Sequence, residues 1–280
     1  MVISGCPYVA HDNSEKSGTF RRSGIGRTKM RLSFCARDFG KDLSSVTDTL
    51  KGIREIGYEG TELWQQLLDT VDIDEAREVM EVTGLEVVQI CPYFNFTGTE
   101  EDWKDSLETA RRFVGYSVRL GKPFIRVFTG QVGSENATAE QWDACVRGLR
   151  EACDMAASEG IGLNLETHRG KLHDTPESTL RLLSEVGRAN LGVNFQPMHG
   201  FEPVESLKLL FPHVRHVHVG NRKDGRPSQL ADGETPWPAL VGELKGRGYG
   251  GYLSVELVAP PLMDFAQRSY EFLKGLIETG

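Results

Sequence analysis

No apolar run in this sequence approaches the roughly 18 residues that cross a bilayer, and the first thirty residues hold no apolar stretch of signal-peptide length. There is no CxxC pair. The five cysteines (Cys6, Cys35, Cys91, Cys145 and Cys153) are scattered and odd in number, which suits a reducing compartment better than a disulfide framework. Basic charge is not in excess either: 40 acidic against 32 basic side chains give a formal net charge of −8. Such a balance opposes non-specific attraction to phosphate backbones and anionic membranes. A cytoplasmic protein that engages neither nucleic acid nor membrane is therefore expected.

What is present is an ordinary globular composition. With 280 residues, 39% hydrophobic and 26% charged, the chain can build one large domain around a substantial core. Residues 1–29 are polar and rich in Gly and Ser, a composition that favours disorder, and they read as an N-terminal extension. The functional domain is expected over 30–280.

From Met30 onward, strand-like and helix-like segments alternate. The strands read RLSFCAR, YEGTELW, LEVVQIC, PFIRVFTG, GIGLNLETHRG, LGVNFQP, VRHVHVG and YLSVELV. Between them lie stretches with apolar residues three or four apart, such as Leu43, Val46, Leu50, Ile53 and Ile56, each predicting a helix. Gly57, Gly84, Gly121 and Gly160 stand where helices should stop. Thr138 with Gln141 has the spacing of a capping box for a helix running to about Ser158. Further helices are expected over Asp72 to Val82 and Trp103 to Leu120. Eight strand–helix pairs in about 250 residues predict a (β/α)8 TIM barrel. The competing open doubly wound sheet usually carries a glycine-rich phosphate loop after its first strand, and none is there.

In such a barrel the chemistry sits at the C-terminal ends of the strands. Read at those ends, the chain offers Glu62 and Trp64 on the second strand, Arg126 in the fourth, Glu166 and His168 on the fifth, and Gln196 with His199 beyond the sixth. His216 and His218 share one side of the seventh strand, and Glu256 ends the eighth. Two carboxylates, an imidazole and an amide oxygen converging on one mouth can coordinate a divalent cation: manganese, zinc, magnesium or cobalt. Arg126 within FIRVF needs an anionic or carbonyl partner, either a substrate or Glu166. Trp64 and Trp237 offer apolar faces on which a sugar can pack. The polar stretch from Asn221 to Trp237, with Arg222, Lys223 and Arg226, is long enough to serve as a substrate loop.

The motifs GYEGTEL, LNLETH, GVNFQPMH, HVHVGN and GYLSVEL, in that order, resemble the sugar phosphate isomerase/epimerase family, the xylose isomerase-like TIM barrels. The resemblance covers Arg31 to the C-terminus. It implies a divalent metal cofactor, manganese first with zinc, cobalt or magnesium as alternatives, held by Glu166, Gln196, His218 and Glu256. Gln196 departs from the family's aspartate and removes one negative charge from the shell.

The activity implied is an isomerase or epimerase that acts on a sugar or related polyhydroxy ketone through an enediolate, with Glu166 and Glu256 moving the protons. Dehydration of a cyclic polyol or keto-sugar is the alternative, and a metal-free binding or partner-subunit barrel the second alternative. Expected substrate contacts are Glu62, Trp64, Arg126, His168, His199 and Arg222, the partner is a small-molecule carbohydrate, and a homo-oligomer is expected by the same resemblance. A DNA-repair endonuclease of this barrel type fits poorly, because the net charge is −8 and only seven histidines are present.

Overall fold

The computed structural model describes residues 29–37, 43–197 and 200–279. The expected extension, apart from Lys29, and the expected site residue His199 lie outside the described residues.

The strands are β1 (Arg31–Cys35), β2 (Gly60–Trp64), β3 (Glu86–Cys91), β4 (Phe124–Val127), β5 (Leu163–Glu166), β6 (Leu191–Phe195), β7 (Val214–Val219), the short β8 (Arg222–Lys223) and β9 (Arg226–Pro227), and β10 (Tyr252–Val255). All but β8 and β9 close into one parallel barrel in the order β1-β10-β7-β6-β5-β4-β3-β2. The fold is thus the (β/α)8 TIM barrel. Its outer layer is α1 (Leu43–Ile56), α2 (Gln65–Leu68), α3 (Ile73–Thr83), α4 (Glu100–Arg119), α5 (Ala139–Ser158), α6 (Pro176–Val186), α7 (Pro203–Leu210), α8 (Trp237–Gly246) and α9 (Leu262–Glu278).

Strands β2, β5, β6 and β10 are buried along their whole length, because side chains on one face fill the barrel while those on the other meet the helices. The helices bury the stripe that the sequence spacing predicts, as α1 does with Val46, Leu50 and Ile53. Thr138 caps α5 with the reciprocal Gln141 bond expected of a capping box. The helix expected from Trp103 instead begins at Glu100, where Thr99 and Asp102 form a second box. The Asn221–Trp237 stretch is not structureless: β8 and β9 pair within it as a two-stranded antiparallel hairpin. Trp237 itself is fully buried and donates from Nε1 to the Gly220 carbonyl at 2.9 Å, so it packs in the core and offers no sugar platform.

Two ends distinguish the barrel. A cavity of about 1700 Å³ opens among the N-terminal ends of the strands, where Arg31, Phe124, Arg215 and Tyr252 line it. Its central cations are already engaged: Arg31 pairs with Glu86 at 2.7 Å, and Arg215 donates to the Asn190 and Ala189 carbonyls. Arg215 crosses directly over Gly162 and Gly192, where an added Cβ would meet it at 3.1 and 2.6 Å. Glu62, Arg126, Glu166, Gln196, His216, His218 and Glu256, singled out in the sequence, gather inside the barrel and at the opposite mouth.

Candidate active site

Glu62, on β2, is wholly buried. A carboxylate so placed is tolerated only if donors surround it. Four do: His216 Nε2 at 2.7 Å, His218 Nε2 at 3.0 and 3.1 Å, Gln89 Nε2 at 3.0 Å and the Cys91 thiol at 3.3 Å. Burial alone would raise the Glu62 pKa, but His218 and His216 outweigh it and hold the carboxyl well below its usual range. Both histidines come from β7, two residues apart and therefore on one side of the strand.

Above this layer lie Glu166 at the end of β5, His218 again, and Glu256 just after β10. His218 Nδ1 is 3.4 Å from Glu166 Oε1 and 4.0 Å from Glu256 Oε2. Glu166 is also paired with Arg126, Nη1 to Oε2 at 3.2 Å, and neither side chain is more than 1% exposed. Burial pushes Glu166 up, yet His218 and Arg126 bring its pKa below the usual range. Glu256 behaves in the opposite way: burial, reinforced by the Glu166 charge, raises its pKa despite His218 and Arg37. Arg37 Nη1 donates to Glu256 Oε1 at 3.1 Å, and Gln196 Nε2 donates to Glu256 Oε2 at 3.0 Å. The two carboxylates are therefore unequal, the Glu166 pKa lowered and the Glu256 pKa raised.

Around them stands an aromatic and cationic wall. Arg126 lies over Phe128 at 3.9 Å, Tyr93 at 4.7 Å and Trp64 at 4.8 Å. Lys171 faces Phe128 at 4.9 Å and donates to Gln131 Oε1 at 2.9 Å; burial and the Arg126 charge lower its pKa. His168 is exposed, its ring edge-on to Phe128 at 5.1 Å. Arg222 is not brought to this cluster: it sits exposed on β8 and donates to Gly225 O at 3.0 Å.

Sequence reasoning missed Arg37, Lys171, Gln89 and Phe128. Gln89 left a usable signal, a lone amide in the otherwise apolar VVQIC. Arg37 and Lys171 left none, since a cation just past a strand end is ordinary surface chemistry in sequence.

The residues fit a divalent cation. Ligand atoms of Glu166, His218 and Glu256 all lie within 4.8 Å of one another, and two neighbouring polar atoms, His218 Nδ1 and Gln196 Oε1, are buried without a hydrogen-bond partner. Burial opposes it, but the Glu62 and Glu166 charges raise the His218 pKa well above its usual value; a cation at Nδ1 would take the place of that proton. A second grouping, Cys35, Glu62 and His218, is equally close. Glu62 is already saturated there, and burial pushes the Cys35 thiol up so that it stays protonated.

Fold and site together define a class, and comparison with known proteins agrees: the chain belongs to the xylose isomerase-like TIM barrel family, whose model matches residues 50–276. Among its relatives, a 3-dehydroshikimate dehydratase from Bacillus anthracis is 31% identical over 202 residues, 69% of this chain and 72% of that protein. A fructoselysine 3-epimerase from Shigella flexneri is 22% identical over 257 residues, 83% of this chain and 93% of that one. The barrel superposes on a D-allulose 3-epimerase from Methylomonas sp. with a TM-score of 0.77 at 18% identity, covering 89% of this chain and 98% of that structure. The relatives include both epimerases and dehydratases. No helix among the described residues is long and apolar enough to cross a membrane.

Proposed function

We propose that this chain is a metal-dependent isomerase or epimerase acting on a sugar or related polyhydroxy ketone by removing and returning a proton next to the carbonyl. One observation carries the reading: two buried polar atoms without a hydrogen-bond partner, His218 Nδ1 and Gln196 Oε1, stand beside the Glu166 and Glu256 carboxylates. Glu166, His218, Glu256 and Gln196 would hold the ion. When bound, a divalent cation supplies Lewis-acid polarisation of the substrate carbonyl and stabilises the charge that develops as the proton leaves.

The chain's own groups do the rest. Glu166, kept ionised by His218 and Arg126, takes the α-proton; Glu256, held in place by Arg37 and Gln196, gives one back. Return to the opposite face of the same carbon inverts it, and return to the neighbouring carbon moves the carbonyl. Trp64, Tyr93 and Phe128 form an apolar wall suited to the faces of a sugar.

Dehydration is the second reading. It is favoured by the 31% identity to a 3-dehydroshikimate dehydratase and by Lys171, a buried cation whose hydrogen-bond partner among the described residues is the neutral Gln131. In that case the Glu256 proton goes to a departing β-hydroxyl.

Incubation of the manganese-loaded protein with ketoses and cyclic polyol ketones in D2O, followed by NMR and mass spectrometry, tests both. Deuterium beside the carbonyl with unchanged hydroxyl count supports the isomerase or epimerase. Loss of one water supports the dehydratase. No exchange and no elimination with any substrate removes proton abstraction as the function.

A further inference from the structure

Glu62 is wholly buried against the two β7 histidines, and it determines what His218 can do. An ionised carboxylate only accepts hydrogen bonds, so every nitrogen against it must carry a proton. His218 touches Glu62 through Nε2 at 3.0 and 3.1 Å, and His216 through Nε2 at 2.7 Å. The amide of Gln89 is oriented in the same sense, for Asn164 Nδ2 donates to Gln89 Oε1 at 3.2 Å while Gln89 Nε2 donates to Glu62 at 3.0 Å. Every bond in this layer, from β5 through β3 and from β7, points its hydrogen toward Glu62. His218 is fully buried, so turning its ring over would forfeit the bond to Glu62 with no water to replace it.

We infer that Glu62 is a positioning residue for metal binding: it fixes His218 as the Nε2–H tautomer, so that Nδ1 is the nitrogen offered to the cation between Glu166 and Glu256. The inference rests on the proposed role of His218 as a ligand. It accounts for an arrangement in which Nδ1 faces Glu166 Oε1 at 3.4 Å with no hydrogen bond of its own. A carboxylate behind a ligating imidazole also makes that imidazole a stronger ligand. A glutamine at position 62 would accept through one atom only, and its amide hydrogens would face His216, or else Gln89 and Cys91, all of them donors.

The test uses the full chain loaded with zinc, which is diamagnetic. Nitrogen-15 NMR of the histidines should show one imidazole protonated at Nε2 and bound to metal at Nδ1, at one zinc per chain; coordination through Nε2 overturns the inference. In competition with a chelator, Glu62→Gln should weaken zinc binding about 10- to 100-fold. In a His218→Ala background the same change should add no further loss, a pattern that a purely structural role would not give. If His218→Ala binds zinc as tightly as the unaltered protein, the ligand reading itself fails. If His218→Ala loses zinc while Glu62→Gln keeps full affinity, only the role of Glu62 is overturned. Should Glu62→Gln not fold, the NMR measurement on the unaltered protein still decides.

Discussion

Arg126 and Glu166 form an ion pair, 3.2 Å from Nη1 to Oε2, with 0% and 1% of their side chains exposed. It ties β4 to the C-terminal end of β5 and leaves the guanidinium packed among Phe128, Tyr93 and Trp64. Removing one partner of such a pair leaves an uncompensated buried charge. Arg126→Met should therefore lower stability by about 3–5 kcal/mol, read from denaturant unfolding of the metal-free protein. A loss under 1 kcal/mol, on the order of an exposed pair, would show that water reaches Glu166.

Glu166→Gln keeps the shape and the acceptor for Arg126 but cannot take a proton. Turnover should fall by about 10²–10⁴ with the near-ultraviolet circular dichroism unchanged. Retained turnover would take Glu166 out of the proton-transfer step.

Gln196→Asp should act with opposite signs in two states. Without metal it replaces the 3.0 Å amide bond to Glu256 by two facing carboxylates and should destabilise by about 1–3 kcal/mol. With manganese it restores a charged ligand and should tighten binding on the order of tenfold. Titration of manganese in parallel with denaturant unfolding in chelator reads both. If neither changes, Gln196 is not at the ion site.

His173 is buried beside Phe128, and burial, together with neighbouring positive charge from His168 and Lys171, depresses its pKa to about 3 despite Glu166. The unfolded chain takes up that proton near pH 6.5 and the native protein does not. The native state therefore binds fewer protons in between. Stability from this group is present above pH 6.5 and is lost as pH falls toward 3, by at most about 1.4 kcal/mol per pH unit. His173→Phe should flatten the decline in urea midpoint between pH 6.5 and 4.5 by that share. An unchanged slope would mean that His173 is protonated or solvated in the native protein.

Much of the fold was legible because period and punctuation are local properties. The α1 stripe of Val46, Leu50 and Ile53 is buried as spaced, and the Thr138–Gln141 box stands where its pattern put it. The start of α4 was misplaced by three residues because Asp102, not Glu or Gln, closes the box with Thr99. Glu166, His218, Glu256 and Gln196 could be read as strand-end groups, since apolar strands that give out in polar residues are conspicuous. Their roles in catalysis and metal binding are proposals.

The sequence by itself determined the strand–helix alternation, the closure signals and the kinds of chemistry available at each strand end. Only the tertiary structure decided which groups meet. Glu62 takes its donors from residues 27 to 156 positions away, and the register shifts beside Glu62 in β2 and beside Asn194 in β6. A shift of one residue exchanges the two faces of a strand. Whether Glu62 faces substrate or the underside of His218 is thus set by closure of the barrel, and a linear pattern with a period of two cannot encode it.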